Sequence, residues 1–322
     1  MSIYETRPIC FDGLRTVPLG ERGGKVAIAK LAKTYQAGDG VAGLLQSLPG
    51  LLAAEEFLYL TDRIVAARAA GKPVLWGLGG HVIKCGLAPV LADLMGRGFI
   101  TGFLFNGSTA IHDFEIAIAG HTSEDVEAVL PDGAFGVSEE TGREMNLAIR
   151  AALVDGIGFG EGLGRYLAGT PDLRFGDFSL LSRAYHSRVP VTVHVAIGTD
   201  TVHMHPDADG AALGETTHVD FRLACSLIAG LDNGGVYVNA GSAVILPEVF
   251  LKAVSVVRNL GGTLANFTTA TLDFLQHYRP RMNVLQRPHF GSGGRGVALT
   301  GHHELMIPLL AAALIERQAA GD

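Results

Sequence analysis

Apolar positions along this chain fall into short runs separated by longer stretches in which they recur every three or four residues, an alternation that predicts strands joined by helices. Val74–Trp76 is a short apolar run behind Gly71-Lys72-Pro73, and the stretch after it keeps Val82, Leu87, Val90, Leu91 and Leu94 on one helical face until Gly96 and Gly98 end it. Phe99–Phe105 then reads as a second strand, Asn106-Gly107-Ser108-Thr109 as an N-cap region, and Ile111, Phe114 and Ile118 as the inner face of the next helix. Further strands are expected near Val189–Ile197, Gly235–Asn239, Leu264–Thr268 and Val297–Leu299. Helices are expected over Glu139–Val154, Phe178–Ser187, Phe221–Ile228, Pro247–Asn259 and Glu304–Arg317. Such alternation closes through right-handed crossovers, so the fold class is α/β: a single Rossmann-like domain with a mostly parallel sheet of about six strands flanked by helices. That domain occupies residues 71–322. Residues 1–70 read as an N-terminal helical extension packed on the core, with helices at Val41–Leu48 and Ala53–Ala70.

The first two strand-to-helix turns place glycine and polar residues side by side. Gly77, Gly79 and Gly80 follow the first strand, where backbone without Cβ lets a ligand approach closely, and Asn106-Gly107-Ser108-Thr109 follows the second. In open α/β sheets ligands bind at such places, and helix N-termini with free N–H groups favour phosphate. The same glycines also serve tight turns alone, and no complete GxGxxG is present. The run Gly291-Ser292-Gly293-Gly294-Arg295-Gly296 is open to two readings, a phosphate-binding loop with Arg295 as its charge or a flexible connector.

Composition narrows the partners. A net charge of −7 with only six lysines gives no basic surface for nucleic acid. Three cysteines, Cys10, Cys85 and Cys225, have no CxxC spacing, so neither a disulfide framework nor a cysteine zinc site is indicated, and a reducing cytoplasm is the default. The start MSIYETRPIC lacks a basic and an apolar region, and the apolar stretch from Val41 to Leu60 is interrupted by Pro49 and Glu55-Glu56, so neither secretion nor membrane insertion is expected.

From Leu75 onward the chain resembles the deoxyhypusine synthase-like family. Gly79-Gly80-His81-Val82-Ile83-Lys84-Cys85-Gly86 resembles that family's TSNLxSSG-type turn, and Phe105 through Asp113 its TTAGGIEED-type turn, at matching spacing. LLSRAYHSRVPVTVHVAIGTD places Thr199-Asp200 where the family carries an acidic residue near its cofactor; Gly234–Gly241 resembles the strand ending in a glycine triplet, and Ala298–Leu310 the final strand and helix. The resemblance implies an NAD cofactor held by Gly79, Gly80, His81, Asn106, Gly107, Ser108, Asp113, Asp200 and Gly241. It also implies a homo-oligomer, tetrameric in the family. The departures are as informative. The family's imine-forming lysine sits in an EAxSWGKI-type motif, whereas residues Asn283 to Gly296 contain no lysine, and the family's aspartate near the last helix is replaced by His303-Glu304. True deoxyhypusine synthase activity is not expected. Asn106 to Glu115, NGSTAIHDFE, is also similar to the GNALAxHDIE segment of the LOR/SDH ornithine cyclodeaminase-type NAD domain, and an amine-bearing small substrate is common to both relatives.

Four residues are candidates for chemistry. Lys84 would form an imine or act as a base if desolvated, or contact phosphate if solvated. His112 would serve as general acid or base at the start of its helix, where Asp113 either accepts ribose hydroxyls or caps. His303 and Glu304 follow the last strand and should project toward the same crevice. The reading is therefore an NAD-dependent enzyme that abstracts hydride from a small amine or amino acid and proceeds by imine chemistry, a transferase, oxidoreductase or deaminating lyase of amine metabolism. Two alternatives stand beside it. His194, His203, His205 and His218 with intervening carboxylates could serve a metal-assisted hydrolase, with His203 and His205 on one face of a strand. The chain could also be a catalytically silent NAD-binding scaffold protein.

Overall fold

A computed structural model describes residues 2–320. Six strands form one sheet: β1 (Val74–Leu78), β2 (Gly102–Asn106), β3 (Val191–His194), β4 (Val236–Ala240), β5 (Thr268–Asp273) and β6 (Arg295–Thr300). Their order is β3-β2-β1-β4-β5-β6 and every pairing is parallel. β1, β2 and β4 are buried almost throughout, as strands covered on both faces must be. The order reverses between β1 and β4, because the chain runs outward from β1 to β3 and then returns to start the other half beside β1. All six strands end on one side, so the loops after them meet there.

The core explains the order. Trp76, Phe103, Phe105, Phe114, Val238 and Leu272 share one apolar cluster with helices Leu52–Ala69 and His303–Ala319, while Leu75, Leu104, Tyr237 and Phe250 build a second. Tyr237 and Phe250 stack at 4.0 Å between ring centroids. Helices Gly40–Ser47 and Leu52–Ala69 each contribute buried side chains, whereas residues 2–40 are exposed without exception. Among the described residues no helix is long and apolar enough to cross a membrane.

Four elements differ from the sequence expectation. The helix expected over Val82–Leu94 is two, Gly80–Lys84 and Ala88–Gly96, parted at Gly86, whose φ is 74°. The apolar stretch Leu264–Thr268 is a turn with only Thr268 in β5, because Asp232 accepts from Ala265 N and Thr263 Oγ1, and Leu264 and Asn266 take left-handed φ of 40° and 51°. Phe99 and Ile100 are buried ahead of β2: Gly98 at φ 78° turns the chain and Phe99 N bonds the Leu94 carbonyl of the preceding helix. The helix expected at Phe221–Ile228 begins at Gly210, where Asp209 Oδ1 accepts from Ala211 N and Ala212 N as its N-cap.

Candidate functional site

Helix Gly107–Ala119 starts where β2 ends. Asn106 caps it by accepting from Thr109 N at 2.9 Å, and Gly120, at φ 76°, stops it. Its inner stripe, Ala110, Phe114 and Ala117, is buried in the core. The neighbouring stripe, Ser108, Ile111, His112, Glu115, Ile118 and Ala119, repeats at three and four residues and so lines one wall of a cavity of about 850 Å³. That volume lies in the range of small-molecule and cofactor sites, about 300–1,000 Å³. Other walls come from Lys84 after β1, Thr199-Asp200-Thr201 after β3, and Ser138, Glu140, Thr141 and Glu144 around the start of helix Glu139–Asp155.

The left-handed turn at Gly120 folds the chain back and brings Thr122 against its own helix. His112 Nδ1 lies 2.7 Å from Thr122 Oγ1, and Thr122 Oγ1 donates to Glu115 Oε2. A hydroxyl that gives its proton to a carboxylate must accept from the imidazole, so Nδ1 of His112 carries hydrogen, which in the neutral ring makes Nε2 the nitrogen with the lone pair. Burial alone would push the Glu115 carboxyl up, but the contacts of His112, Thr122 and Thr141 outweigh it and hold the pKa below the usual value. Glu115 is therefore an anion that orients Thr122 and, through it, His112.

Asp200 packs on the N-terminus of the same helix, with Oδ2 2.1 Å from where a Cβ on Gly107 would stand. A Cβ there would displace the Asp200 carboxylate. Its pKa is raised by burial, partly offset by His203, whose Nε2 is 3.8 Å away. His203 accepts from Gly198 N at Nδ1, and burial lowers its pKa.

The structure sorts the remaining expected residues into two groups. Ser108, Lys84, His112 and Asp200 share the cavity. Lys84 is exposed at its edge, outside the apolar enclosure that would favour an imine-forming lysine. Asp113 is fully buried and accepts from Ser179 Oγ, Leu180 N and Leu181 N, which makes it the anchor for helix Leu180–His186; burial pushes its pKa up to about 6. The second group collects at the reversal between β1 and β4. A Cβ on Gly79 would stand 2.0 Å from the Gly241 carbonyl, and one on Gly80 2.1 Å from Ser108 Oγ. His303 is buried beside Gly241 and donates from Nε2 to the Leu272 carbonyl at 3.0 Å, leaving Nδ1 without a partner. Its ring centroid is 5.6 Å from that of His81. Cys85 Sγ lies 3.4 Å from His81 Nε2 and donates to Glu304 Oε2 at 3.6 Å; burial, then the Glu304 carboxylate, pushes the thiol pKa up.

Glu115 and Thr122 are the members that sequence reasoning missed. The signal for Glu115 was present, since it lies seven residues after Ser108 and three after His112 on one helical stripe. Nothing in sequence announced Thr122, which arrives through the Gly120 turn.

The histidine-rich segment does not assemble. His194 is buried at the end of β3 with Nε2 2.9 Å from Thr192 Oγ1, and burial lowers its pKa to about 3. His203 and His205 lie in and just after a 3-10 turn, Thr201–Met204, rather than on a strand face, and His218 is exposed on a helix. Among the described residues no three His, Cys, Asp or Glu side chains form a group that could hold a metal ion. The glycine run 291–296 lies at the start of β6, across the sheet from the cavity, and Arg295 pairs with Glu56 and stacks over Tyr59, so its charge is committed to helix Leu52–Ala69.

No protein-family model matches the chain, and no curated protein matches it in sequence. Solved structures do. A conserved protein assigned to LOR/SDH from Methanococcus maripaludis S2 superposes with a TM-score of 0.51 at 14% identity, over 83% of this chain and 71% of that one. AgrE, solved with ornithine and NAD+, superposes with a TM-score of 0.50 at 14% identity over 84% of this chain, which spans only 34% of AgrE. A protein assigned as a deoxyhypusine synthase from Entamoeba histolytica superposes with a TM-score of 0.51 at 10% identity, over 88% of this chain and 96% of that one. The resemblance read from the turns is thus a resemblance of fold: this chain has the α/β architecture that deoxyhypusine synthase-type and LOR/SDH-type proteins share, as a divergent example of it.

Proposed function

We propose that this protein binds NAD in the cavity beside helix Gly107–Ala119 and there oxidises a small amine or amino acid, with His112 as general base. The observation that carries this reading is the chain His112, Thr122, Glu115 opening on a cavity of about 850 Å³ whose walls hold five carboxylates, Glu115, Glu124, Glu140, Glu144 and Asp200, against a single lysine. Carboxylates in that excess attract a cation, and a protonated amine is the cation that gains most from meeting a base.

The residues fit a dinucleotide at one end of the cavity. Asp200 offers a carboxylate for ribose hydroxyls, Ser108 and the first turn of its helix offer donors, and Lys84 offers positive charge for a pyrophosphate. The Gly79 turn packs against the Gly241 carbonyl beside that cavity. NAD, when bound, accepts a hydride from the carbon bearing the amine. Nε2 of His112 takes a proton from the substrate ammonium, which frees the nitrogen lone pair; Thr122 and Glu115 hold the ring with Nε2 forward and stabilise the charge it gains. Ile111 and Ile118 exclude water from the same wall.

Calorimetric titration with NAD+ and NADH tests the cofactor, and NADH formation in the presence of diamines and basic amino acids tests the reaction. Saturable binding lost in Asp200→Ala, with amine-dependent NADH formation lost in His112→Ala, is the expected result. Binding without turnover on any amine would turn the reading to a silent NAD-binding protein, and no binding would end it.

A further inference from the structure

The first thirty residues present a different problem from the cavity. Among the described residues, eleven of the twenty-nine exposed large apolar side chains lie between Ile3 and Tyr35, about a tenth of the chain; Ile3 is 90% exposed and Ile28 88%. Apolar surface concentrated in that way on a soluble protein marks an interaction surface. The segment has no strand or α-helix: it is irregular chain with a turn over Phe11–Leu14 and 3-10 turns at Leu19–Glu21 and Ile28–Lys30. Ile9 and Phe11, Val17 and Leu19, and Val26 and Ile28 are each two residues apart, which puts both members of a pair on one side of an extended chain. It is tethered to the body only at its far end, where Lys33 N bonds the Ser47 carbonyl and Gly50 N the Lys30 carbonyl; before Lys30, among the described residues, its hydrogen bonds are with itself.

Charge says where it goes. Through Lys33 the segment carries six Lys and Arg against three acidic residues, a net +3, and with the whole chain at −7 the remainder stands at −10. The most acidic stretch of that remainder is residues 124–144, with seven carboxylates against Arg143 alone, and it exposes Val126, Leu130 and Val137. A basic, apolar arm and an acidic, apolar strip belong to one chain, yet within that chain no residue of the arm is buried. We infer that the arm of one copy docks on residues 124–144 of a second copy of this chain. Apolar pairs seat on Val126, Leu130 and Val137 while Arg15, Arg22 and Lys25 meet the carboxylates. Because Glu124, Val126, Glu140 and Glu144 line the cavity, the second copy contributes to its rim.

Cys10 lies in the arm and is exposed, so the full-length protein carries its own probe. Light and heavy isotope-labelled copies are mixed, labelled with a thiol-directed photo-cross-linker and mapped by mass spectrometry. Cross-links from Cys10 to residues 124–144 that join light to heavy chains are expected, together with a light-scattering mass that is a multiple of 33.8 kDa. Ile9→Asp with Phe11→Asp should return that mass to one chain while the circular dichroism spectrum stays that of the folded protein, since both side chains are exposed in the single chain. Arg15→Glu with Arg22→Glu should weaken association roughly tenfold, and Glu127→Lys with Asp132→Lys should restore it. A single-chain mass for the wild type, cross-links confined to chains of one isotope, cross-links between copies that land elsewhere, or association indifferent to the Ile9 and Phe11 changes would each overturn the inference.

Discussion

The crevice between β1 and β4 and the cavity beside helix Gly107–Ala119 are built from adjacent turns of one sheet, and they use glycine to opposite ends. In the crevice the chain approaches itself: the Gly241 carbonyl takes the place a Gly79 side chain would need, and buried His303 closes over Gly241. In the cavity Gly107 makes room for Asp200, and about 850 Å³ stay open beyond it. Glycine at a strand end therefore reports that something comes close to the backbone, and not whether that something is ligand or protein. The difference lies in what stands behind it. The crevice is closed by His303 and the backbone of Gly241, and the cavity is walled by a helical stripe that mixes Ser108, His112 and Glu115 with Ile111 and Ile118.

Substitutions separate the two regions, beginning with the largest expected effect. His112→Ala should lower amine-dependent NADH formation by about 10²- to 10⁴-fold while leaving the melting temperature within a few degrees, and Glu115→Gln should give a smaller loss of the same kind. A wild-type rate in His112→Ala would remove the base from the cavity. Gly79→Ala belongs to the other region: its Cβ meets backbone that cannot turn aside, so it should destabilise the fold by about 3 kcal/mol, read by urea titration. A stability equal to wild type would mean that the crevice is not packed as described.

Asp220 tests the sheet edge next to the cavity. Its Oδ2 accepts from Val193 N at 2.7 Å and Gly160 N at 2.9 Å, tying edge strand β3 to helix Phe159–Gly169, and burial pushes its pKa up to about 7. A carboxyl whose folded pKa exceeds its unfolded value favours the fold when protonated, so its contribution declines as pH rises from about 4 to about 7. Asp220→Asn removes that titration; melting curves across the interval should show the variant gaining on the wild type as pH rises, and parallel curves would contradict the raised pKa. The smallest effect is expected from Gly80→Ala. Its Cβ would meet Ser108 Oγ, the end of a side chain that can rotate, so stability should fall by about 1 kcal/mol or less while NAD binding, if Ser108 contacts the dinucleotide, weakens a few-fold.

Much of this architecture could be read from the chain alone. The apolar runs at Val74–Trp76 and Gly235–Asn239 lie within or overlap β1 and β4, because strands covered on both faces need continuous apolar residues, and Val297–Leu299 lies in β6, an edge strand buried only at Val297 and Leu299. β5 was misplaced since its threonines look polar yet pack as β-branched residues, while Asp232 bends the apolar stretch before it into a turn. At the site, Ser108, His112, Asp200 and Lys84 were named from sequence and lie together. Asp113, next to His112 in sequence, points to the other side of its helix and is spent on Ser179 and the backbone beyond it.

The sequence by itself determined that strands and helices alternate, where most of them lie, and that polar groups gather after the first two strands, because these follow from periodicity and local turn chemistry. Only the tertiary structure decided which protein atoms the strand-end glycines face, that Thr122 joins His112 to Glu115, and that the histidines between His194 and His218 part company. Those outcomes depend on residues far apart in the chain meeting at particular distances, and local pattern carries no information about distance.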